Sequence, residues 1–193
     1  MKILNSITER RVSEPLTLIE EVVNTRFGRT YPDSWKSPEQ MRVWLIDHKI
    51  LAEDTPLTQA DHRRMLEVRE ALRALLRQNN GIVIAPENIE TLNFLAKHAP
   101  LTVRFDQQGQ AELIPDTQGI DGVIAYLLAI VYTAMAQEGW TRLKACRNDH
   151  CQKAFYDSSK NHSGTWCAMA KCGSRVKARA YRQRRQKQHE AIE

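Results

Sequence analysis

The sequence predicts a mostly α fold: a helical N-terminal domain with one β-hairpin, then a small four-cysteine module and a basic C-terminal helix. Three observations carry this. Apolar residues recur at helical spacing in successive stretches before residue 140. The period changes to two over residues 101–114. All four cysteines lie between Cys146 and Cys172, and an arginine-rich run follows them.

Residues 1–11 show no clear pattern. Ser13 suits a helix N-cap with Pro15 in the first turn, and Leu16, Ile19, Val23 and Phe27 recur at helical spacing up to Gly28. Near the end of that helix stands a polar triplet, Asn24-Thr25-Arg26, between apolar neighbours. It reads either as a closing turn bonded to the next loop or as part of a small-molecule pocket, with Asn24, Arg26 and Trp44 as candidate contacts. Ser37-Pro38-Glu39-Gln40 predicts a capping box with proline at the first helical position. Met41, Trp44, Leu45 and His48 share a face of the helix it starts.

Thr58 and Asp61 open a third helix, where a hydroxyl cap and a negative charge suit the helix start. Met65, Val68, Leu72, Leu75 and Leu76 form its apolar stripe, which assigns Glu67, Arg69, Glu70, Arg73 and Arg77 to a solvated face. Asn79-Asn80-Gly81 ends it. A fourth helix starts at Pro86, places Ile89, Leu92, Phe94 and Leu95 inside, and closes at Pro100. Leu101, Val103 and Phe105 then alternate with polar residues, Gln107-Gln108-Gly109 turns the chain, and residues 111–114 return as a hairpin. The helix from about Asp121 to Glu138 is apolar nearly all round, which suits a bundle centre or a dimer interface. Little linker separates it from Cys146, so the four-cysteine module is expected to dock on the helical domain. The expected division is residues 1–140 and 141–193.

The cysteines read C-x4-C, fifteen residues, C-x4-C. Four thiolates make a closed tetrahedral set for one structural zinc ion, with Cys146, Cys151, Cys167 and Cys172 as ligands. Phe155, Tyr156 and Trp166 supply too little apolar surface for this lobe to fold without a metal. Two disulfides or four unrelated thiols would be the alternative, but no signal-peptide pattern opens the chain, and the expected location is a reducing cytoplasm, which disfavours disulfides. With four cysteines present, His150 and His162 are expected outside the ligand set. No position is left open for a catalytic water.

The run Cys146, Cys151, Phe155-Tyr156-Asp157-x-Ser159-Lys160-Asn161, Trp166-Cys167, Cys172-Gly173-Ser174-Arg175 and Lys177 resembles the CGNR zinc finger. That finger stands at the C-terminal end of a bacterial family whose N-terminal part is called the ABATE domain. Ser174 stands where the family has Asn, and Gly164-Thr165 where it often has a basic pair. The resemblance covers roughly residues 140–182 specifically and the N-terminal part diffusely. It implies a transcriptional regulator that binds DNA through the zinc module.

Charge is divided unevenly. From Arg142 onward there are thirteen Lys/Arg against four Asp/Glu, a net of +9; the preceding residues hold fifteen against nineteen, a net of −4. This asymmetry points to a polyanionic partner for the C-terminal module. A helix is expected from about Ser174 to Gln188, with Arg175, Arg179 and Arg182 on one stripe, Lys177, Arg184, Arg185 and Lys187 around it, and Val176 and Ala180 as a thin apolar edge. Together with Lys160 and Asn161, the residues Arg175, Lys177, Arg179, Arg182, Arg184 and Arg185 are the candidate DNA contacts.

The leading expectation is therefore a zinc-dependent DNA-binding regulator whose N-terminal domain senses a small-molecule effector or forms a homodimer. RNA binding and a protein-interaction module are the alternatives. No GxSxG, P-loop or dinucleotide glycine pattern supports an enzyme. No apolar run reaches the length of a membrane span, about 18 residues.

Overall fold

A computed structural model describes residues 14–28, 31–137 and 139–190. The expected lead-in at residues 1–11 and the Ser13 cap lie outside them, as do the side chains of Ala180 and Lys187, while the helix expected to reach Glu138 ends at Met135 with Ala136 as its cap. In order come α1 (Glu14–Asn24), α2 (Pro38–Asp47), α3 (Gln59–Gln78), α4 (Pro86–Lys97), β1 (Leu101–Phe105), β2 (Ala111–Pro115), α5 (Gly119–Met135), a 3-10 turn (Trp140–Arg142), β3 (Leu143–Ala145), β4 (Ala154–Tyr156), a π turn (Met169–Gly173) and α6 (Ser174–Glu190). The architecture is mostly α, with two small antiparallel hairpins, as the sequence predicts.

Local chemistry sets the helix ends. The Ser37 hydroxyl accepts from the Gln40 amide, and Pro38 occupies the first turn of α2. Thr58 and Asp61 close a reciprocal capping box on α3, each bonding the other's backbone N–H. α1 stops at Asn24 rather than running to Gly28, because the Thr25 hydroxyl turns back to the Val22 carbonyl and the Thr25 carbonyl accepts from Ser34. Phe27 therefore lies beyond the helix.

α5 packs among α1, α3, α4 and β2, so the bundle-centre reading of that helix holds. Its Val123, Ile124 and Leu127 meet Ile19, Val22 and Val23 of α1 and Met65, Leu72 and Leu76 of α3 in one cluster. The same cluster includes Leu143, Ala145 and Ala154 from β3 and β4. The four-cysteine module thus shares its core with the helical domain. Two expectations fail on α4: Ile89 and Phe94 are exposed, because only the Leu95 face of this short helix reaches the core. In the first hairpin Leu101 stands opposite Pro115 and Phe105 opposite Ala111.

The largest correction concerns α3. Arg69 and Arg73, assigned to a solvated face, are 2% and 5% exposed. Arg69 makes a paired bond to the Asp33 carboxylate at 2.8 and 3.0 Å, and also reaches the Thr25 hydroxyl. Arg73 donates to the carbonyls of Val23, Arg26 and Gln152 and to Glu70. A guanidinium has five N–H donors and no acceptor, which suits collecting carbonyls from several segments. This face of α3 is an internal seam between the α1–α2 loop and the four-cysteine module.

Candidate zinc centre and basic arm

β3 and β4 pair antiparallel, Leu143 opposite Tyr156 and Ala145 opposite Ala154, and present Cys146 and Cys151 on the loop between them. The Cys146 amide donates to Lys153, continuing the ladder by one bond, and the Cys151 amide donates to Asn148 to tighten the turn. Cys167 and Cys172 flank the start of the π turn, where the Cys172 amide bonds the Ala168 carbonyl. The Ser174 hydroxyl donates to the Met169 carbonyl at 3.3 Å, so serine still braces this turn.

The four sulfur atoms all lie within 4.8 Å of one another. Cys167 Sγ is 3.6 Å from Cys151 Sγ and 3.8 Å from Cys172 Sγ. A regular tetrahedron with zinc–sulfur bonds of about 2.3 Å has edges of about 3.8 Å, so the residues fit one structural zinc. Cys146 and Cys167 resist ionising on their own. The neighbouring Cys151 thiol and burial push Cys146 far up, and burial with the charge of Cys146 pushes Cys167 up to about 11. A divalent cation offsets that repulsion and holds them as thiolates. His150 and His162 stand outside this set: both are exposed, the His150 amide bonds the Asn148 side chain, and the His162 carbonyl accepts from Lys144.

A second, non-metal device holds the loop between the cysteine pairs. Lys144 and Asp157 form a buried ion pair at 2.7 Å, their side chains 6% and 3% exposed. Lys144 Nζ also donates to the carbonyls of His162 and Gly164. The Asp157 carboxylate accepts from the amides of Ser159 and Gly164. Burial alone would raise the Asp157 carboxyl, but Lys144, Ser159 and Gly164 outweigh it and hold it well below the usual carboxylate range. A Cβ at Gly164 would sit 2.5 Å from Asp157 Oδ1, which explains a glycine where the resembling family often has a basic residue. Lys144 carried no signal in the sequence beyond its alternation with Leu143 and Ala145.

α3 and α1 grip the module by its backbone. The Asn79 amide donates to Trp140 and Leu143, and the Asn80 amide to Ala145 and Thr165. The Asn24 amide exchanges two bonds with Ala154. Gly28, at φ +64°, donates its amide to the Cys151 carbonyl at 2.7 Å, and a Cβ there would meet the His150 carbonyl oxygen at 3.2 Å. The three residues read as a pocket, Asn24, Arg26 and Trp44, fall in different surroundings. Asn24 is committed to Ala154, and Trp44 stacks on His48 with its edge to Trp35. Arg26 borders a cleft beside Glu70, Arg73 and Asp149.

α6 leaves the π turn directly, so Cys172 anchors its base. Arg175, Lys177, Arg179, Arg182, Arg184 and Arg185 are exposed, as are Lys160 and Asn161 on the loop after β4. Val176 is half-buried against the lobe, while every described side chain from Lys177 to Gln186 is exposed. The helix is a projecting basic arm. Trp166 and Phe155 are half-buried in the lobe, but Tyr156 is 45% exposed and faces a groove with α1 and α5.

A family described as "Putative stress-induced transcription regulator", named ABATE, matches residues 17–137. The chain belongs to the ABATE family. The CGNR zinc finger matches residues 142–185, so the ABATE part runs from α1 through α5 and the finger takes β3, β4, the cysteines and most of α6. No curated protein matches the chain. Among the described residues, no helix of this ABATE protein is long and apolar enough to cross a membrane.

Proposed function

We propose that this protein is a zinc-dependent, DNA-binding transcriptional regulator of the cytoplasm, in which residues 141–193 contact DNA and residues 1–140 sense an effector or mediate homodimerisation. The observation that carries this is α6: a basic helix whose described side chains from Lys177 to Gln186 are exposed, rooted on the fourth cysteine of the zinc set. Like charges along a helix repel, and the first turn of α6 holds no acidic residue. A polyanion relieves that repulsion. Arg175, Arg179 and Arg182 form the contact stripe, with Lys177, Arg184, Arg185, Lys160 and Asn161 beside it. The reading involves no catalytic step.

The test is a titration of zinc-loaded protein against duplex DNA from its own upstream region and against scrambled duplex, at two salt concentrations and with chelator. If about four cations touch phosphate, log affinity falls with log salt at a slope of about −3 to −4. The Arg179→Ala, Arg182→Ala double variant should keep its zinc and fold yet lose duplex binding. Duplex affinity unchanged in that variant would remove α6 as the contact surface. Salt-sensitive binding of RNA alone would transfer the proposal to RNA, and no binding to either would favour a protein partner.

A further inference from the structure

A cleft of about 470 Å³ opens between the ABATE domain and the base of α6. One wall is Phe27 and Tyr31, from the segment after α1, with ring centroids 4.3 Å apart. The other wall carries Lys153, Lys171, Arg175 and Arg179, and Cys151, Cys167 and Cys172 of the zinc set also line the cleft. No Asp or Glu is among the described residues that line it. The neighbouring cleft at Arg26 differs, because there Glu70 and Asp149 balance the arginines. Lys153 has Glu20 as an electrostatic neighbour, but Lys171, Arg175 and Arg179 with no acid in the lining make a site for an anion, even after the zinc tetrathiolate beside them subtracts two charges.

The aromatic wall adds a second selectivity. Lys153 Nζ lies 5.3 Å from the Phe27 ring centroid, and Tyr31 covers Phe27 from within the pair. Tyr31 is itself 56% exposed, which leaves ring surface for a flat partner. The wall is positioned by a bond across the two parts of the chain, from the Gly28 amide to the Cys151 carbonyl.

We infer that this cleft binds a free mononucleotide, with the base stacked on Tyr31 and the phosphate held by Lys171, Arg175 and Arg179. This rests on the regulator reading for its consequence but not for its chemistry. Arg175 and Arg179 belong both to the cleft and to the stripe on α6. A bound phosphate therefore takes two of the arginines that a duplex would use, and nucleotide and DNA compete.

The experiment is equilibrium binding of adenosine and guanosine monophosphates, inorganic phosphate and a single-stranded tetranucleotide to the zinc-loaded full chain, without duplex. At least one mononucleotide should bind saturably and better than phosphate. Tyr31→Ala should weaken it about tenfold, the size of one lost base–aromatic stack, while Tyr31→Phe restores it. Tyr31 is exposed, so zinc content and thermal midpoint should stay at the wild-type values in both variants. Binding no tighter than phosphate, binding indifferent to Tyr31→Ala, or binding of the tetranucleotide alone overturns the proposal. Since duplex is absent from this assay, a failure of the DNA reading leaves its outcome unaffected. Competition is then read by adding the nucleotide to a preformed duplex complex.

Discussion

The side-chain amide of Asn24 pairs with both backbone groups of Ala154, donating to its carbonyl at 3.0 Å and accepting from its N–H at 2.8 Å. The two residues are 130 positions apart, on the last turn of α1 and the first residue of β4. A carboxamide is the side chain that can offer one donor and one acceptor in a plane, as a peptide does. In effect α1 supplies β4 with a one-residue strand partner.

Replacing Asn24 separates geometry from chemistry. Asn24→Asp keeps the acceptor but turns a second oxygen toward the Ala154 carbonyl. It should cost about 1–3 kcal/mol in urea unfolding, and Asn24→Ala a similar amount, as expected for a buried donor or acceptor left unmade. Zinc content should stay at one ion per chain in both. Faster exchange of the Ala154 amide would mark the lost bond directly.

The Lys144–Asp157 pair should dominate the stability of the finger. Removing one partner strands the other in a buried site, so Lys144→Met or Asp157→Asn should each cost about 3–5 kcal/mol. The double variant should cost less than the sum, since the second change removes a charge already uncompensated. Additive losses would show that the two act independently.

Acid should act on Asp33 in a defined window. Burial opposes its ionisation, but the bonds from Arg69 and the Trp35 amide hold its carboxyl below the ordinary value. A lowered carboxylate contributes stability that is complete above the ordinary aspartate range, near about pH 4, and fades as pH falls toward the lowered folded value. The stability difference between wild type and Asp33→Asn should therefore be constant near neutrality and shrink below about pH 4. A difference that persists unchanged at lower pH would exclude this carboxylate as the source.

Zinc removal should be felt inside the helical domain. Chelation frees the loop carrying Cys151, whose carbonyl holds the Gly28 amide. Hydrogen exchange should then accelerate not only over β3, β4 and the start of α6 but also at Gly28. Protection at Gly28 that survives zinc loss would mean that the core shared through Leu143 and Ala145 suffices to hold the seam.

Much of this was legible in the sequence because the signals are local. Capping residues at Ser37 and Thr58, the period change at Leu101, and the paired cysteine spacing each act within a few residues. The arginines of α3 were not legible. On a helical wheel Arg69 and Arg73 flank the apolar stripe, Arg69 beside Met65 and Leu76, and nothing nearby in the chain distinguishes them from charges at a solvated edge. Their partners, Asp33 and the Gln152 carbonyl, come from segments brought in only by the tertiary fold. Asn79 and Asn80 misled for the same reason: their value as a helix stop concealed their use as donors to residues 140–165. Asn24 was noticed for its polarity, but a polar residue at a domain seam and one in a ligand pocket look alike along the chain.

The seam on α3 also has a consequence for how the protein is made. A ribosome releases the N-terminal part first, and the whole of α3 emerges before any residue of β3 exists. During that interval Arg73, Asn79 and Asn80 lack the carbonyls that complete their bonding. The nascent helical domain is thus an unfinished product, held open for a segment still to be translated. Metal capture by that late segment then closes the last step, so a cell short of zinc would accumulate chains stalled one stage before maturity rather than folded ones lacking only their metal.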